Sequence, residues 1–310
     1  MTEQLGLGGM PQRLFMATPT RLTTWLDCPN RYRLTYLDKA PKGPPWAHNS
    51  VGLSVHNALR DWFGLPVETR TVEAAGTLVR RGWIGEGFRD DAQSAQWRER
   101  AARMVGRYVD GLDPADEPVG VERTVAFRTR TLAMSGRADR IDERVTDSVS
   151  ELGGELVVVD YKTGRHLLST DDARSSLALA MYAVASARTL RRPCRRVELH
   201  HLPSGHVVAW EHDEVSLRRH VGRAEDIAAE AQTAEASRTA LLESGADPDD
   251  AAVAALFPAR PGPMCGYCDM VRSCPTGIAE IGGVLTPSWD VLDRWSDEDP
   301  DVTSIDVAPA

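Results

Sequence analysis

The stretch Leu156-Val157-Val158-Val159-Asp160-Tyr161-Lys162-Thr163-Gly164 decides the fold. Its β-branched run marks a buried strand, and Thr163-Gly164 is the turn that ends it. Side chains two apart in a strand share a face, so Asp160 and Lys162 project to the same side. Lys162 is one of three lysines among 36 basic residues; the other two, Lys39 and Lys42, lie together near a Pro-rich turn. Elsewhere the chain uses arginine. An ammonium is a compact point charge and a guanidinium a planar fork, so a site that presses one charge against a water or a phosphoryl oxygen favours lysine.

Outward from this strand, Val119 to Arg130 and Thr131 to Asp142 alternate as two earlier strands, and Asp171-Asp172 opens a helix covering Leu177 to Ala187. Arg195 to Leu202 is a fourth strand, with His206 to Trp210 paired to it through Pro203-Ser204-Gly205. Before the strands the spacing predicts helices from Thr18-Pro19 to Cys28, around Tyr32 to Leu37, and over 51–63, 71–82 and 91–112. After them a long Ala-rich helix runs from Asp213 towards Leu242. This order predicts an α/β fold, a central mixed sheet flanked by helices, with helical N- and C-terminal parts that pack together.

The chemistry follows from where the charges fall. Gly136-Arg137-Ala138-Asp139-Arg140-Ile141-Asp142 sets Asp139 in the strand beside Asp160. Two carboxylates at one spot repel unless a cation lies between them, and oxygen ligands suit Mg²⁺ or Mn²⁺. A metal beside a lysine suits hydrolysis of a phosphodiester. Gly52-x-x-x-His56 adds a helical histidine, a residue that more often packs or faces water than binds a ligand.

The five cysteines are Cys28, Cys194, Cys265, Cys268 and Cys274. The odd number and a reducing compartment argue against disulfides. Cys265-x-x-Cys268 is a chelating spacing for zinc or an iron–sulfur cluster. Cys28 lies 237 residues upstream of Cys265, so a shared site would clip the two ends of a domain together. Cys194, flanked by Arg191, Arg192, Arg195 and Arg196, reads as a turn residue.

The 310 residues are 42% apolar and 26% charged, ordinary for a globular protein. No apolar run approaches the roughly 20 residues that span a bilayer. The Gly-rich start from Met1 to Met10 is unlike a signal peptide, so a cytoplasmic location is expected. The net charge is −9, of which −7 falls from Thr276 onward, so the body neither supports nor forbids a polyanionic partner. We expect a flexible N-terminus over 1–17, one domain over 18–275, and an acidic, disordered tail over 276–310.

Taken in order, Thr18-Pro19-Thr20-Arg21-Leu22, Cys28-Pro29-Asn30-Arg31-Tyr32, Gly52…His56, Gly136-Arg137-Ala138-Asp139, Val159 to Gly164, a helix with Tyr182, and the terminal cysteine triplet resemble a RecB-type nuclease of the PD-(D/E)XK superfamily, in its iron–sulfur branch. The resemblance covers roughly Thr18 to Pro275 and implies a restriction-endonuclease-like core. It implies His56, Asp139, Asp160 and the Tyr161 backbone carbonyl as ligands of Mg²⁺ or Mn²⁺, with Lys162 catalytic beside Asp160 and Asp139. It also implies a 4Fe–4S cluster on Cys28, Cys265, Cys268 and Cys274, with zinc as the lesser alternative. The family cuts DNA ends to leave 5′-phosphates, which implies a DNA exonuclease of repair or recombination acting on ends or single strands. Alternatives are a nuclease that trims new spacers during CRISPR adaptation, and a catalytically silent DNA-binding subunit. The family's Gln-x-x-x-Tyr helix has Ala178 at the Gln position and Tyr182 in place. With no Gly-x-x-x-x-Gly-Lys-Ser/Thr loop present, unwinding would fall to a helicase or repair partner. For DNA contact the candidates are Tyr182 and Arg191, Arg192, Arg195 and Arg196. Arg98, Arg100, Arg103 and Arg107, interspersed with Glu99, read as a solvated helix face.

Overall fold

The computed structural model describes residues 14–144, 154–248 and 250–295. Strand β1 (Phe15–Ala17) leads into helix α1 (Pro19–Asp27), which Thr18 caps by accepting the Arg21 N–H at 3.0 Å. A short α2 (Pro29–Tyr32) runs on into a π-helical turn over Arg33–Leu37, so the predicted helix there is one turn of each kind. Next come α3 (Ala47–Phe63), α4 (Val72–Arg81) and α5 (Asp91–Asp110), the last two capped by Thr71 and Asp90. The strands β2 (Gly120–Arg128), β3 (Leu132–Arg144) and β4 (Glu155–Lys162) follow.

The single helix expected after β4 is two, α6 (Thr170–Ser175) and α7 (Leu177–Leu190). Ser176 leaves helical geometry and caps α7 through the Leu179 N–H, while Ser169 and Asp172 form a capping box on α6. Adjacent serines compete with the helix for its own donors, which breaks it there. The chain continues through β5 (Cys194–His201), β6 (His206–Glu211), α8 (Glu214–Glu243), α9 (Ala251–Ala255), α10 (Pro275–Glu280) and α11 (Asp290–Asp293).

The sheet is mixed and six-stranded, in the order β1-β3-β4-β5-β6, with β2 on the other edge of β3. β2 pairs antiparallel with residues 133–141 of β3. The opposite edge of β3 is shared: β1 runs parallel to Leu132–Met134, and β4 antiparallel to Arg140–Arg144. Between those two pairings the edge of β3 from Ser135 to Asp139 is left open. Beyond Val159, β4 leaves β3 but stays paired with β5 as far as Lys162 and His201. The notch thus formed holds the site.

One face of the sheet, with Val157, Val159 and Tyr161, packs on α3, α4 and α5; Leu156, Val158 and Val197 pack with Leu179 and Ala183 of α7. Trp25, Tyr32, Trp46 and Trp62 are buried, as packing residues.

Two expected boundaries shift. Phe15–Ala17, assigned from sequence to a flexible N-terminus, is β1, with Phe15 and Ala17 buried by the sheet. The segment assigned to a disordered tail is ordered to Trp295: Leu292 is buried against the α3–α5 layer, and Trp295 meets Trp97 edge-on at 5.3 Å. Apolar anchors there outweigh the local acidity. The rest of both segments, 1–13 and 296–310, lies outside the described residues. No described helix is long and apolar enough to cross a membrane.

Candidate active site

Three carboxylates line up across three strands. The register pairing Arg140 with Val159 continues to set Asp139 opposite Asp160, and that pairing Val121 with Arg140 sets Glu122 opposite Asp139. Where β4 leaves β3, the Asp139 side chain replaces the lost backbone partner: its Oδ2 accepts the Tyr161 N–H at 2.9 Å. His56, from α3, brings Nδ1 to 3.4 Å from Asp139 Oδ1 and 3.6 Å from Glu122 Oε1. Donor atoms of His56, Glu122 and Asp139 all lie within 4.8 Å of one another. Lys162 Nζ stands 2.6 Å from Asp160 Oδ2. Gly52 lets α3 approach this corner, because a Cβ there would meet Thr163 Oγ1 at 3.3 Å.

Sequence reasoning missed Glu122. It has a positive φ of 47° near the start of β2, a conformation that costs a non-glycine residue energy. Arg137 Nε holds its other oxygen at 2.7 Å. The signal is one of register: Glu122 falls beside Asp139 only when β2 is aligned with β3 residue by residue.

The electrostatics are those of a site crowded with negative charge. Burial by itself would lower the His56 imidazole, but its bonds to Asp139 and Glu122 outweigh that and raise it to about 10. Burial raises Asp160 above the ordinary carboxylate range; Lys162 opposes and Asp139 adds to that rise. Asp160 Oδ2 is buried and pairs with the Lys162 ammonium at 2.6 Å. A buried carboxylate beside two more carboxylates and an imidazole fits a hard divalent cation. Asp160 lies outside the tight His56–Glu122–Asp139 group, so the closest donor set includes Glu122, which the sequence did not name.

Tyr161, between the two charged residues of β4, is fixed from below. Its ring meets His56 and Tyr108 edge-on, each at 5.6 Å, and Arg140 donates to its hydroxyl at 3.3 Å and to Tyr108 Oη at 3.0 Å. Tyr182 of α7 reaches the other side of the notch. A Cβ on Gly136 would stand 2.7 Å from its ring, so only glycine allows this approach. Tyr182, Gly136, Thr18, Leu53, His56 and Glu122 border a cleft of about 450 Å³.

The arginine run lies elsewhere. Cys194 pairs with Leu156 while Asp160 pairs with Leu199, which puts the run about 13 Å down the strand from the carboxylates. Arg192 binds Glu143, Arg195 binds Glu155, and Arg196 binds Glu198. Their charge is spent within the sheet. Cys194 is a buried strand residue rather than a turn.

The family model of the PD-(D/E)XK nuclease superfamily matches residues 16–275, a span that includes the notch and all of its charged residues. The chain belongs to the PD-(D/E)XK nuclease superfamily. No curated relative matches it. Superfamily membership brings metal-dependent cleavage of nucleic acid, and the acidic notch is where a divalent metal would be held.

The four remaining cysteines line one cavity of about 370 Å³ between α1–α2 and the 259–277 segment. None forms a disulfide. Cys28 Sγ accepts the N–H groups of Arg31 at 3.5 Å and Arg260 at 3.4 Å; Cys274 Sγ accepts Asn30 Nδ2 and the Gly277 N–H, each at 3.2 Å.

Proposed function

We propose that the protein is an Mg²⁺- or Mn²⁺-dependent DNA exonuclease of the RecB type, acting at ends or on single strands in repair or recombination. The observation that carries this reading is the meeting of Asp139, Asp160, His56 and Lys162 at one notch. His56, Glu122, Asp139 and Asp160 would hold the metal, with the Tyr161 carbonyl beside them. A bound divalent ion supplies Lewis acidity and neutralises phosphate charge. Lys162 orients the attacking water or stabilises charge developing on the phosphoryl oxygens. Tyr182 borders the strand's path past the notch. The chain shows no nucleotide-binding loop of its own, so a partner helicase would supply single strands.

The cysteine cavity is where Cys28, Cys265, Cys268 and Cys274 would hold a structural 4Fe–4S cluster, with zinc as the lesser alternative.

The deciding experiment is cleavage of end-labelled single- and double-stranded DNA with Mg²⁺ or Mn²⁺, beside the Lys162→Ala variant. Stepwise shortening by the wild type and none by the variant is the expected result. No cleavage by the wild type, or equal cleavage by both, would overturn the reading.

A further inference from the structure

A second pocket begins one residue beyond Lys162. It encloses about 210 Å³, walled by Trp97 and Arg100 of α5, Thr163, Gly164 and Arg165 of the loop after β4, and Trp295 near the end of the described chain. Thr163 lines this pocket and lies close to Gly52, a lining residue of the metal cleft: a Cβ on Gly52 would stand 3.3 Å from Thr163 Oγ1. The floor is rigid: Trp97 and Met104 are buried, and His201 binds the Gly164 carbonyl through Nε2 at 2.6 Å and Ser204 through Nδ1 at 2.6 Å. Trp295 is partly exposed and stands edge-on to Trp97.

The charge here differs from the arginine run at the start of β5. Arg100 lies over the Trp97 ring at 4.8 Å, and Arg165 donates only to the Arg294 carbonyl, at 2.9 Å. Neither has a carboxylate partner among the described residues. Arg100, read from sequence as part of a solvated helix face, therefore sits at the mouth of an aromatic pocket with its charge uncommitted. Aromatic planes with unpaired guanidinium groups suit a base and its phosphate, because every base offers a π face. The volume is below the roughly 300–1,000 Å³ of ordinary small-molecule pockets, which fits one base better than a larger ligand.

We propose that this pocket is a nucleobase subsite, in which the nucleotide next to the phosphate at Lys162 stacks its base on Trp295 while Arg100 and Arg165 hold the adjoining backbone. The assignment rests on the nuclease reading for the position of the phosphate. It explains how a site with nothing but charge at its centre could grip a strand whose bases are free and leave a paired duplex unstacked.

The test is binding of a short fluorescent single-stranded oligonucleotide in chelator, so that no cleavage occurs, with an abasic residue moved through successive positions. Stacking on one aromatic side chain corresponds to about a tenfold change in affinity. The wild type should lose about that factor at one abasic position. Trp295→Ala should lose it for the intact strand and no longer sense the missing base, while Trp295→Phe keeps the discrimination. Arg165→Ala, on an exposed loop, should weaken binding at every position and reduce the salt slope by about one. An abasic penalty that is absent, or that persists unchanged in Trp295→Ala, would overturn the subsite. Cleavage with no Trp295-dependent base effect rejects the subsite alone; base-dependent binding without cleavage in Mg²⁺ or Mn²⁺ rejects the nuclease reading alone.

Discussion

Lys162 Nζ pairs with the buried Asp160 Oδ2 at 2.6 Å. The lysine uses one lone pair of a carboxylate that has about four. It is also half exposed, so its ammonium can turn to a substrate without unfolding anything. Lys162→Ala should lower the cleavage rate by about 10²- to 10³-fold, as loss of one preorganised charge at a reacting oxygen does. Lys162→Arg should fail nearly as badly, because the planar fork cannot occupy the same point. Unchanged thermal melting of both variants would separate this from misfolding; full activity in Lys162→Arg would show that charge alone suffices.

Glu122 should behave as a metal ligand or as a close support of one. Glu122→Gln keeps its size and removes its charge. Manganese affinity, measured by titration calorimetry on the uncleaving protein–metal system without DNA, should fall roughly 10- to 100-fold. An affinity equal to that of the wild type would place Glu122 outside the metal's reach.

The cysteine cavity separates four residues from the fifth. Burial pushes the Cys194 thiol up to about 12, which leaves it a small apolar core residue. Anaerobically purified protein should be brown and contain iron. Cys268→Ser should lose the visible absorption and melt at lower temperature, whereas Cys194→Ala should keep the colour. Zinc without iron in the purified protein would refute the cluster, since zinc is colourless.

Acid should loosen the β6–α8 corner before it reaches the carboxylates. His212 is buried against Trp210 and His220, and its Nδ1 faces Ser216 Oγ at 2.9 Å. Burial first, then His220, lowers the imidazole to about 4, with Asp213 opposing. Because the folded value lies below the unfolded one, near 6.5, stability from neutral His212 is complete above about 6.5 and is lost as pH falls towards about 4. Urea unfolding should show about 1–2 kcal/mol less stability at pH 5 than at pH 7 from this group. The His212→Asn variant should show a smaller drop over the same interval; an equal drop would assign the effect elsewhere.

Gly136→Ala tests the contact that seats Tyr182. The new methyl would press on the Tyr182 ring at 2.7 Å and on Pro19 Cδ at 3.2 Å. Overpacking of this kind costs about 1–3 kcal/mol. A lower melting temperature, restored in part by Tyr182→Leu, is the expected outcome.

Much of this was legible in the sequence. The β-branched run before Asp160, the Asp139 segment and the Thr18-Pro19 cap each placed their element to within a few residues, since each rests on local geometry. What escaped depended on pairing or packing. Glu122 becomes visible only when β2 is aligned with β3 residue by residue. The pairing of Arg192, Arg195 and Arg196 with Glu143, Glu155 and Glu198 depends on neighbours that the run itself does not contain. Leu292 and Trp295 hold an acidic segment against α3 and α5 through apolar contact, which a reading by charge alone overlooks.

Helix α1 has a further consequence. Its first turn, with Thr18, Pro19 and Thr20, borders the metal cleft, and the residue just past its last turn is Cys28 of the sulfur cavity. Nine residues of helix make a strut about 13 Å long that neither stretches nor shortens. The lip of the catalytic cleft is therefore indexed to the sulfur cage. Corrosion of the cage, distant as it is from the phosphate, would reach the reaction as a misplaced lip rather than as a missing chemical group.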